Sequence, residues 1–424
     1  MRSTAFANGS TSGPCRRRWM RRKPLFPPPL STATGKPKRH KGRQPYSVLT
    51  VNGRVTLRRV RWHCPQEGSE TPLDRVVDAV ESTISEGVRE MACQLSQGTT
   101  SFQQASHLLL RTAHLEVSKE TLRQLVEAEG RAVLEAQRKA TLLPDWSAED
   151  CTTEQHSTRI YLGCDGVKVP LVTAAEKQKR RTKIREKRQR RGRKSKPLPR
   201  AKPGADNAYK EFKVGYLYDE PKEHRLIGVT SGNHEAAGRM LERMAEQVEL
   251  SRADERVALI DGAPWIRNQL ELHGLTKDIG LDFWHLQDYA QKTRRKVFGE
   301  ESADGQQWLS ELMHGFKHDG YDAAYDRVTE LRQPLRGKKR SAVNQLLQYM
   351  AERRDMIRYP EFIARGWQIG SGPTEAECKT TTHRIKGRGR RWDATNAEAM
   401  MALAALHDSR LWNQHWTTLD PPTN

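Results

Sequence analysis

The sequence predicts a mixed α/β fold that follows a smaller helical region. Apolar residues keep helical spacing from Pro72 to about Leu143, whereas strands and helices alternate from residue 158 onward. Residues 286–365 then read as nearly all helical, with charged faces and apolar stripes, before a last acidic helix near Glu375. Mixed strands, a helix, another strand and a long helical insertion are best fitted by a ribonuclease H-like α/β domain.

These patterns predict a division of the chain into five parts. They are a basic, proline-rich disordered tail (1–45), a strand hairpin with a helical DNA-binding domain (46–150), a catalytic domain made of 151–285 and 366–410 with a basic arm at 175–205, a helical insertion (286–365) and a second tail (411–424).

The predicted N-terminal domain combines a hairpin with a pair of helices. Tyr46 to His63 alternates apolar and basic residues about Asn52-Gly53, which is typical of a small hairpin. Residues 101–130 divide into two helices around 113–117, with Ser118 as the cap of the second. This spacing fits a helix-turn-helix. Two short packed helices without DNA contact are the alternative, because the second helix is not especially basic.

Charge identifies the expected partner. The formal net charge is +21, and residues 1–45 contribute +12 while residues 177–202 contribute +14. Subtracting these 26 charges leaves −5, so a slightly acidic globule carries two basic arms. Such arms are expected to extend by self-repulsion and to follow a phosphate backbone, so nucleic acid is the predicted partner. A membrane surface is the competing partner, but no apolar stretch approaches the ~20 residues of a membrane span and no signal-peptide pattern opens the chain.

The six cysteines are scattered along the chain. Cys15, Cys64, Cys93, Cys151, Cys164 and Cys378 include no Cys-x-x-Cys pair. This spacing favours neither a disulfide framework nor a zinc knuckle, and it indicates a reducing, intracellular setting.

Three carboxylates stand out because of their positions in the predicted elements. Asp165 and Asp261 each end a short apolar run and precede a glycine, which is typical of a strand end at the functional edge of an α/β sheet. Asp-Gly turns without chemistry are the alternative for each. Glu375 opens a helix that begins after Gly370-Ser-Gly and becomes strongly basic. Glu377 is the rival of Glu375, since the two lie about 200° apart around the helix and only one can face the aspartates.

The most specific motif links these residues to a known family. Gly370-Ser-Gly-x-x-Glu375-x-x-x-Lys379, followed by Arg384-x-Lys386 and Arg391-Trp392, resembles DDE transposases of bacterial insertion sequences of the ISKra type, which are similar to the Mutator-like group. The resemblance runs from about Tyr46 to the end of the chain. Gln66 and Glu67 depart from it, because relatives often carry further cysteines there, and so does Gly389-Arg390, where Gly-Met is usual.

The resemblance implies a metal-dependent reaction on DNA. Asp165, Asp261 and Glu375 would be both the catalytic residues and the ligands of two Mg²⁺ (or Mn²⁺) ions, with Asp165 bridging the two. Water would cleave the end of the element, and the freed 3′-hydroxyl would join it to target DNA. Asp282-Phe-Trp-His285 is similar to an Asp-x-x-His motif of Mutator-like and hAT transposases, which would place His285 near the DNA.

The remaining site residues are expected to bind DNA. Lys379, Arg384 and Lys386 would position phosphates, and Trp392 would either stack on an unpaired base or belong to the core. The full predicted DNA-binding set is Asp282, His285, Lys379, Arg384, Lys386, Arg391 and Trp392.

The resemblance also implies the partners and leaves two other functions open. The expected partner is double-stranded DNA, both the terminal inverted repeats and the target. At least a dimer is expected on DNA, in the bacterial cytoplasm and without a membrane. A nuclease of the same fold that cleaves without joining, and a non-catalytic domesticated DNA-binding protein, are the alternatives.

Overall fold

The computed structural model describes residues 35–71, 83–191, 197–387 and 389–416. The described residues divide into two compact units. The first takes in residues up to 91 and 113–115, and the second takes in 92–112 and the residues from 116 onward. This division comes earlier in the chain than the predicted boundary at residue 150. Most of the predicted N-terminal tail, and residues 72–82 at the start of the predicted helical pattern, lie outside the described residues.

The first unit contains a three-stranded antiparallel sheet. Its strands are β1 (Arg39–Thr50), β2 (Gly53–Cys64) and β3 (Gly68–Glu70). Thr50 pairs with Gly53, so the predicted hairpin is present and turns through residues 51 and 52. Residues 39–45 are part of β1, which corrects the expectation that the disordered tail reaches residue 45. The reason is that this stretch pairs with the far half of β2, up to His63.

Three helices follow: α1 (Glu86–Gln97), α2 (Phe102–Ala113) and α3 (Lys119–Arg138). Ser118 caps α3 as predicted, because its Oγ accepts a hydrogen bond of 3.1 Å from the Thr121 amide. In the second unit, α3 is packed closely enough that a Cβ on Gly130 would lie 2.7 Å from the Ala399 carbonyl oxygen. The predicted helix pair is therefore present, while its role as a helix-turn-helix stays a prediction.

The second unit is built on a five-stranded mixed sheet, which confirms the predicted mixed α/β class. Its strands are β4 (Arg159–Pro170), β5 (Tyr209–Tyr218), β6 (Arg225–Thr230), β7 (Glu255–Ile260) and β8 (Asp278–Leu281). They lie in the order β6-β5-β4-β7-β8. The pairs β6-β5 and β5-β4 are antiparallel, and β4-β7 and β7-β8 are parallel. The parallel pairs bring the carboxyl ends of three strands to one edge.

The basic arm is a helix over much of its length, not the extended chain expected from its charge. Helix α4 (Ala174–Arg190) begins with a capping box in which the Thr173 Oγ1 accepts from the Glu176 amide at 3.2 Å, and the Glu176 Oε2 accepts from the Thr173 amide at 3.0 Å. Lysine, arginine and glutamine are good helix formers, and their charged heads stay in water because no residue of α4 is buried. Intrinsic propensity and the cap thus outweigh self-repulsion.

The other helices cover the sheet or form the predicted helical insertion. Their bounds are α5 (His234–Gln247), α6 (Pro264–Leu272), α7 (Phe283–Phe298), α8 (Ala303–His318), α9 (Tyr321–Arg332), α10 (Gly337–Ala351), α11 (Tyr359–Ala364), α12 (Gly372–Thr382), α13 (Ala394–Asp408) and α14 (Trp412–Trp416). Trp412 and Trp416 are buried, so the predicted tail at 411–424 begins with a packed helix. Across the described ranges, no helix has the length and hydropathy that crossing a bilayer requires.

A glycine in β4 sets the distance between the sheet and α12. A Cβ on Gly163 would lie 1.8 Å from the Thr374 Oγ1 and 2.9 Å from the Thr374 Cβ. Thr374 is buried and directly precedes Glu375, so the Thr374 side chain has little room to move. Gly163 thus permits the approach that brings Glu375 toward β4.

We expect Gly163→Ala to lower the free energy of unfolding by about 1–3 kcal/mol, because the new methyl group overpacks the contact between β4 and α12. Chemical denaturation measures this change. The matched control is Gly166→Ala in the same strand, where the new Cβ meets only the flexible end of the Glu211 side chain. A loss in Gly163→Ala no larger than that in Gly166→Ala contradicts this account of the close approach.

Candidate active site

Strand register aligns three aspartates at the carboxyl edge of the parallel strands. The pairing of β4 with β7 ends at Leu162 and Ala258, and Asp165 and Asp261 each lie three residues further along. Ile260 pairs with Leu281, so Asp261 and Asp282 each follow a paired residue directly. Because neighbouring strands lie about 4.8 Å apart, the register places these three residues in one row at the edge of the sheet.

Asp165 does not end its strand, which corrects the sequence-based expectation. β4 continues to Pro170, and Asp165 pairs with Val214 of β5. Only the parallel neighbour β7 stops earlier, at Ile260. Asp165 is thus held by regular backbone pairing on one side and is half-buried beside an open edge on the other.

Asp261 follows β7 directly, as predicted. Its Oδ1 accepts a hydrogen bond of 2.9 Å from the Ala263 amide, which leads into α6. Gly262 has φ +83°, and a Cβ there would lie 2.7 Å from the Arg353 Nε and 2.8 Å from the Leu281 Cδ1. The Arg353 Nη2 donates to the Gly262 carbonyl oxygen at 3.2 Å. Both backbone conformation and crowding therefore require glycine after Asp261.

Asp282 is fully buried and positions its neighbours. The prediction that it contacts DNA is therefore corrected, because the side chain does not reach the surface. Its Oδ1 accepts from the His285 amide at 2.7 Å and lies 3.1 Å from the His285 Nδ1. Its Oδ2 accepts from the amide and, at 2.8 Å, the hydroxyl of Ser371. Burial raises the pKa of Asp282, but the hydrogen bonds from His285 and Ser371 outweigh it and bring the pKa down to about 2. The carboxylate joins the start of α7 to the loop that precedes α12.

Glu375 and not Glu377 faces the row of aspartates. Glu375 is half-buried and lines the cleft beside Asp165. Its negative charge is one of the causes that raise the pKa of Asp165, after burial. Glu377 is buried in the core, where desolvation and the nearby Asp408 raise its pKa to about 7. The alternative that the sequence left open is thereby decided for Glu375 as the cleft residue.

The neighbouring carboxylates contribute to a raised pKa of Asp165. Burial raises its pKa; the Gly166 amide, at 2.5 Å from Oδ1, opposes this rise, and the negative charges of Asp261 and Glu375 add to it. Ionising Asp165 therefore costs more free energy than ionising an aspartate in water, and a nearby cation would offset that cost. A divalent cation would remove this penalty, which is a property expected of a metal site.

The cleft over Asp165 has a volume of about 530 Å³ and carries both signs of charge. Its lining residues are Asp165, Gly166, Val167, Lys168, Trp284, His285, Asp288, Glu375, Cys378, Lys379 and Lys386. One donor atom each from Asp282, His285 and Glu375 also lies within 4.8 Å of the others. Because both Asp282 oxygens already accept hydrogen bonds from His285 and Ser371, Asp165 and Asp261 have more free lone pairs for a cation.

Three of the predicted DNA-binding residues reach the cleft. The Lys379 Nζ lies 4.0 Å from the Glu375 Oε2, and its side chain is 80% exposed. Lys386 is exposed at the cleft, where partial desolvation lowers its pKa and the negative charge of Asp165 opposes that shift. The hydrogen bond with Asp282 raises the pKa of His285, which favours its protonated form beside the carboxylates.

Three other predicted DNA-binding residues do not reach the cleft. Arg384 is buried, and its Nε donates to the Ser96 carbonyl oxygen at 2.8 Å, so it supports the core instead of binding phosphate. Trp392 is buried edge-to-face against Phe102, so the core alternative was correct for it. Arg391 is exposed, and its guanidinium lies 3.0 Å from the Glu176 carboxylate at the start of α4.

Sequence reasoning missed Trp284 as a site residue. It lies between Asp282 and His285, lines the cleft and is 59% exposed, which is unusual for so large an apolar side chain. It touches Gly370 closely enough that a Cβ there would meet the indole at 3.3 Å. The available signal was the position of a tryptophan inside the Asp-x-x-His motif.

We expect Asp165→Asn to raise the thermal unfolding midpoint without divalent cations by about 1–3 °C, because it removes a carboxylate that burial and two neighbours disfavour. Because the pKa of Asp165 is raised in the folded state, the free energy of unfolding falls as the pH rises from the ordinary pKa of an aspartate through the folded-state value. Added Mg²⁺ should stabilise the wild type and not the variant. A lower midpoint for Asp165→Asn, or an unchanged response to Mg²⁺, contradicts this electrostatic account.

The raised pKa of His285 should depend on Asp282. The stabilisation from protonated His285 is complete below the ordinary pKa of ~6.5 and is lost as the pH rises through the folded-state value. Asp282→Asn should therefore lower the pKa of His285, measured by NMR of ¹⁵N-labelled histidine rings with His285→Gln to assign the signal. An equal pKa in wild type and Asp282→Asn would show that Asp282 does not hold the proton.

Comparison with known proteins gives two similarities. A family model described as an uncharacterised protein family (UPF0236) matches residues 37–209, which is less than half of the chain. No curated protein matches. The solved Drosophila P element transposase strand transfer complex is similar over 81% of this chain and 83% of that chain, with 9% sequence identity and a TM-score of 0.30.

Proposed function

We propose that the chain is a DDE transposase of the ISKra type, with a ribonuclease H-like catalytic domain that cleaves DNA ends and joins them to a target. The observation that carries the proposal is the alignment of Asp165 and Asp261 beyond the paired ends of adjacent strands, with Glu375 in the same cleft. The strand order β6-β5-β4-β7-β8, with its antiparallel and parallel halves, supports the proposed domain type.

The residues fit a divalent metal centre. Three carboxylates share one electrostatic environment, and hard oxygen donors are the ligands that Mg²⁺ and Mn²⁺ prefer. Asp165, Asp261 and Glu375 would hold the two ions of the proposal. When bound, the ions would supply Lewis-acid stabilisation of the attacking and leaving oxygens of a phosphodiester. Asp282 would act as a positioning residue, because its hydrogen bonds fix both His285 and the loop before Glu375.

Basic side chains around the carboxylates would bind the DNA backbone. Lys379, Lys386 and Lys168 line the same cleft, and protonated His285 adds a fourth cation. Helix α4 is exposed along its length and offers a further basic surface for a phosphate backbone. Such contacts supply affinity and register, not sequence preference.

Trp284 would bind an unpaired base next to the reacting phosphate. Its indole is exposed at the cleft, and stacking between a base and an aromatic ring contributes about 1–3 kcal/mol. Trp284 takes the stacking role that the sequence considered for Trp392.

The proposal is tested by a Mg²⁺-dependent cleavage and joining assay on labelled duplexes that carry the flanking ends of the coding region. Asp165→Ala, Asp261→Ala and Glu375→Ala should each abolish both steps, since each removes a metal ligand. Glu377→Gln is the matched control, because Glu377 lies two residues after Glu375 in the same helix and its side chain is buried in the core. Cleavage without joining supports the nuclease alternative, and DNA binding without either step supports a non-catalytic protein.

Trp284→Ala should weaken the binding of duplexes with frayed or single-stranded ends by about 1–3 kcal/mol and leave fully paired duplexes little changed. Fluorescence anisotropy with labelled DNA measures both. Trp284→Phe keeps an aromatic face and should retain most of the preference for unpaired ends. Equal losses for paired and unpaired DNA in Trp284→Ala would exclude base stacking.

A further inference from the structure

A second cluster of metal-binding side chains lies outside the active site. Cys151, Asp219 and His224 each offer one donor atom, and these three atoms lie within 4.8 Å of one another. Cys151 follows a short 3₁₀ turn at Ala148–Asp150, and the other two residues belong to the connection between β5 and β6. Cys151 thus lies close to two donors that follow it by 68 and 73 residues in the sequence.

This cluster is separate from the carboxylate row. Tyr218, next to Asp219, pairs with Tyr161 near the start of β4, whereas Asp165 lies four residues further along the same strand. Four residues of a strand correspond to roughly 13 Å. The cluster therefore lies at the end of the sheet away from the candidate active site.

The environment of the cluster favours a bound cation. Cys151 and Asp219 are buried, and within the described part of the chain the Cys151 Sγ makes only a long hydrogen bond of 3.7 Å to the Ser147 carbonyl oxygen. Among the described residues, His224 is the one side chain that pairs with the Asp219 carboxylate, through its Nδ1 at 2.8 Å. Asp150 adds negative charge that acts on both Cys151 and His224. A thiol and a carboxylate thus lie close to a single imidazole, and the charge of a second carboxylate acts on the cluster.

We propose that Cys151, Asp219 and His224 bind one Zn²⁺ ion. A thiolate, an imidazole and a carboxylate are the donors that zinc takes in proteins, whereas Mg²⁺ takes oxygen ligands alone. Ligand atoms around a tetrahedral zinc lie about 3.3–3.8 Å apart, given bond lengths of about 2.0–2.3 Å. The His224 and Asp219 atoms would separate by about half an ångström, and the thiol would lose its proton to solvent on binding. A water molecule completes the coordination.

The bound ion would join the segment before β4 to the turn between β5 and β6. Trp146 packs against the His224 ring, with 5.4 Å between ring centroids, and shields one side of the cluster. The Cys151 carbonyl oxygen accepts a hydrogen bond of 2.9 Å from the Arg159 amide, so the ligand is tied to the first residue of β4. The proposed ion would therefore link these two segments, and the site is independent of the proposed transposase function.

The test uses the full chain, stripped with a chelator and then titrated with Co²⁺ and Zn²⁺ in excess Mg²⁺. A Co²⁺–thiolate bond gives an intense near-ultraviolet charge-transfer band, which carboxylate sites do not give. We expect this band with one equivalent of Co²⁺, its loss on adding Zn²⁺, and a rise of several degrees in the unfolding midpoint with Zn²⁺. Cys151→Ser should abolish the band, and His224→Gln should weaken Zn²⁺ binding at least tenfold.

Two cysteine variants serve as controls. Cys64→Ser removes a thiol of the first unit, and Cys378→Ser removes the thiol that lines the candidate active-site cleft. Both should keep the band. The proposal is overturned if the wild type gives no thiolate band, if the band survives in Cys151→Ser, or if either control variant abolishes it. Since His224→Gln leaves every cysteine in place, unchanged Zn²⁺ affinity in that variant also overturns it, even if Cys151→Ser fails to fold.

Discussion

The buried carboxylate of Asp282 is the interaction on which the candidate site depends. It accepts hydrogen bonds from the backbone and side chain of both His285 and Ser371, and so joins the end of β8, the start of α7 and the loop before α12. Truncating a buried group with this many partners would leave several donors unsatisfied, at about 1–3 kcal/mol each. Without this carboxylate, the loop before α12 loses its hydrogen bonds to the residue that follows β8, and the packing of Thr374 on β4 remains to hold Glu375.

The site combines two opposing requirements. Stability favours neutral or well-separated groups at the sheet edge, whereas metal binding needs several ionised carboxylates close together. Burial and the charges of Asp261 and Glu375 act against ionisation of Asp165, and His285 and Lys386 relieve this only in part. In the proposed metal centre, the same crowding of carboxylates that disfavours ionisation in the metal-free protein would favour a bound cation.

The sequence was most informative where a local pattern fixes a backbone position. Asp261-Gly262 follows its strand as predicted, and Ser118 caps its helix as predicted, because each signal acts within a few residues. It was least informative where distant contacts decide. The residues near Arg384 in sequence do not indicate that Ser96 and Phe102 contact it in the core. In Ala174–Arg190, helix propensity outweighs the repulsion between like charges. The spacing of the cysteines did not predict the cluster of Cys151, Asp219 and His224, because the pairing of β4 with β5 brings these donors together.

The central claim is that Asp165, Asp261 and Glu375 form one divalent metal centre. A crystal soaked in Mn²⁺, with diffraction recorded at the manganese absorption edge, tests it most directly. The account predicts anomalous peaks bounded by the carboxylates of Asp165, Asp261 and Glu375, with Asp282 still hydrogen-bonded to Ser371. Manganese bound solely by Asp282, His285 and Glu375, or no manganese in the cleft, would contradict it.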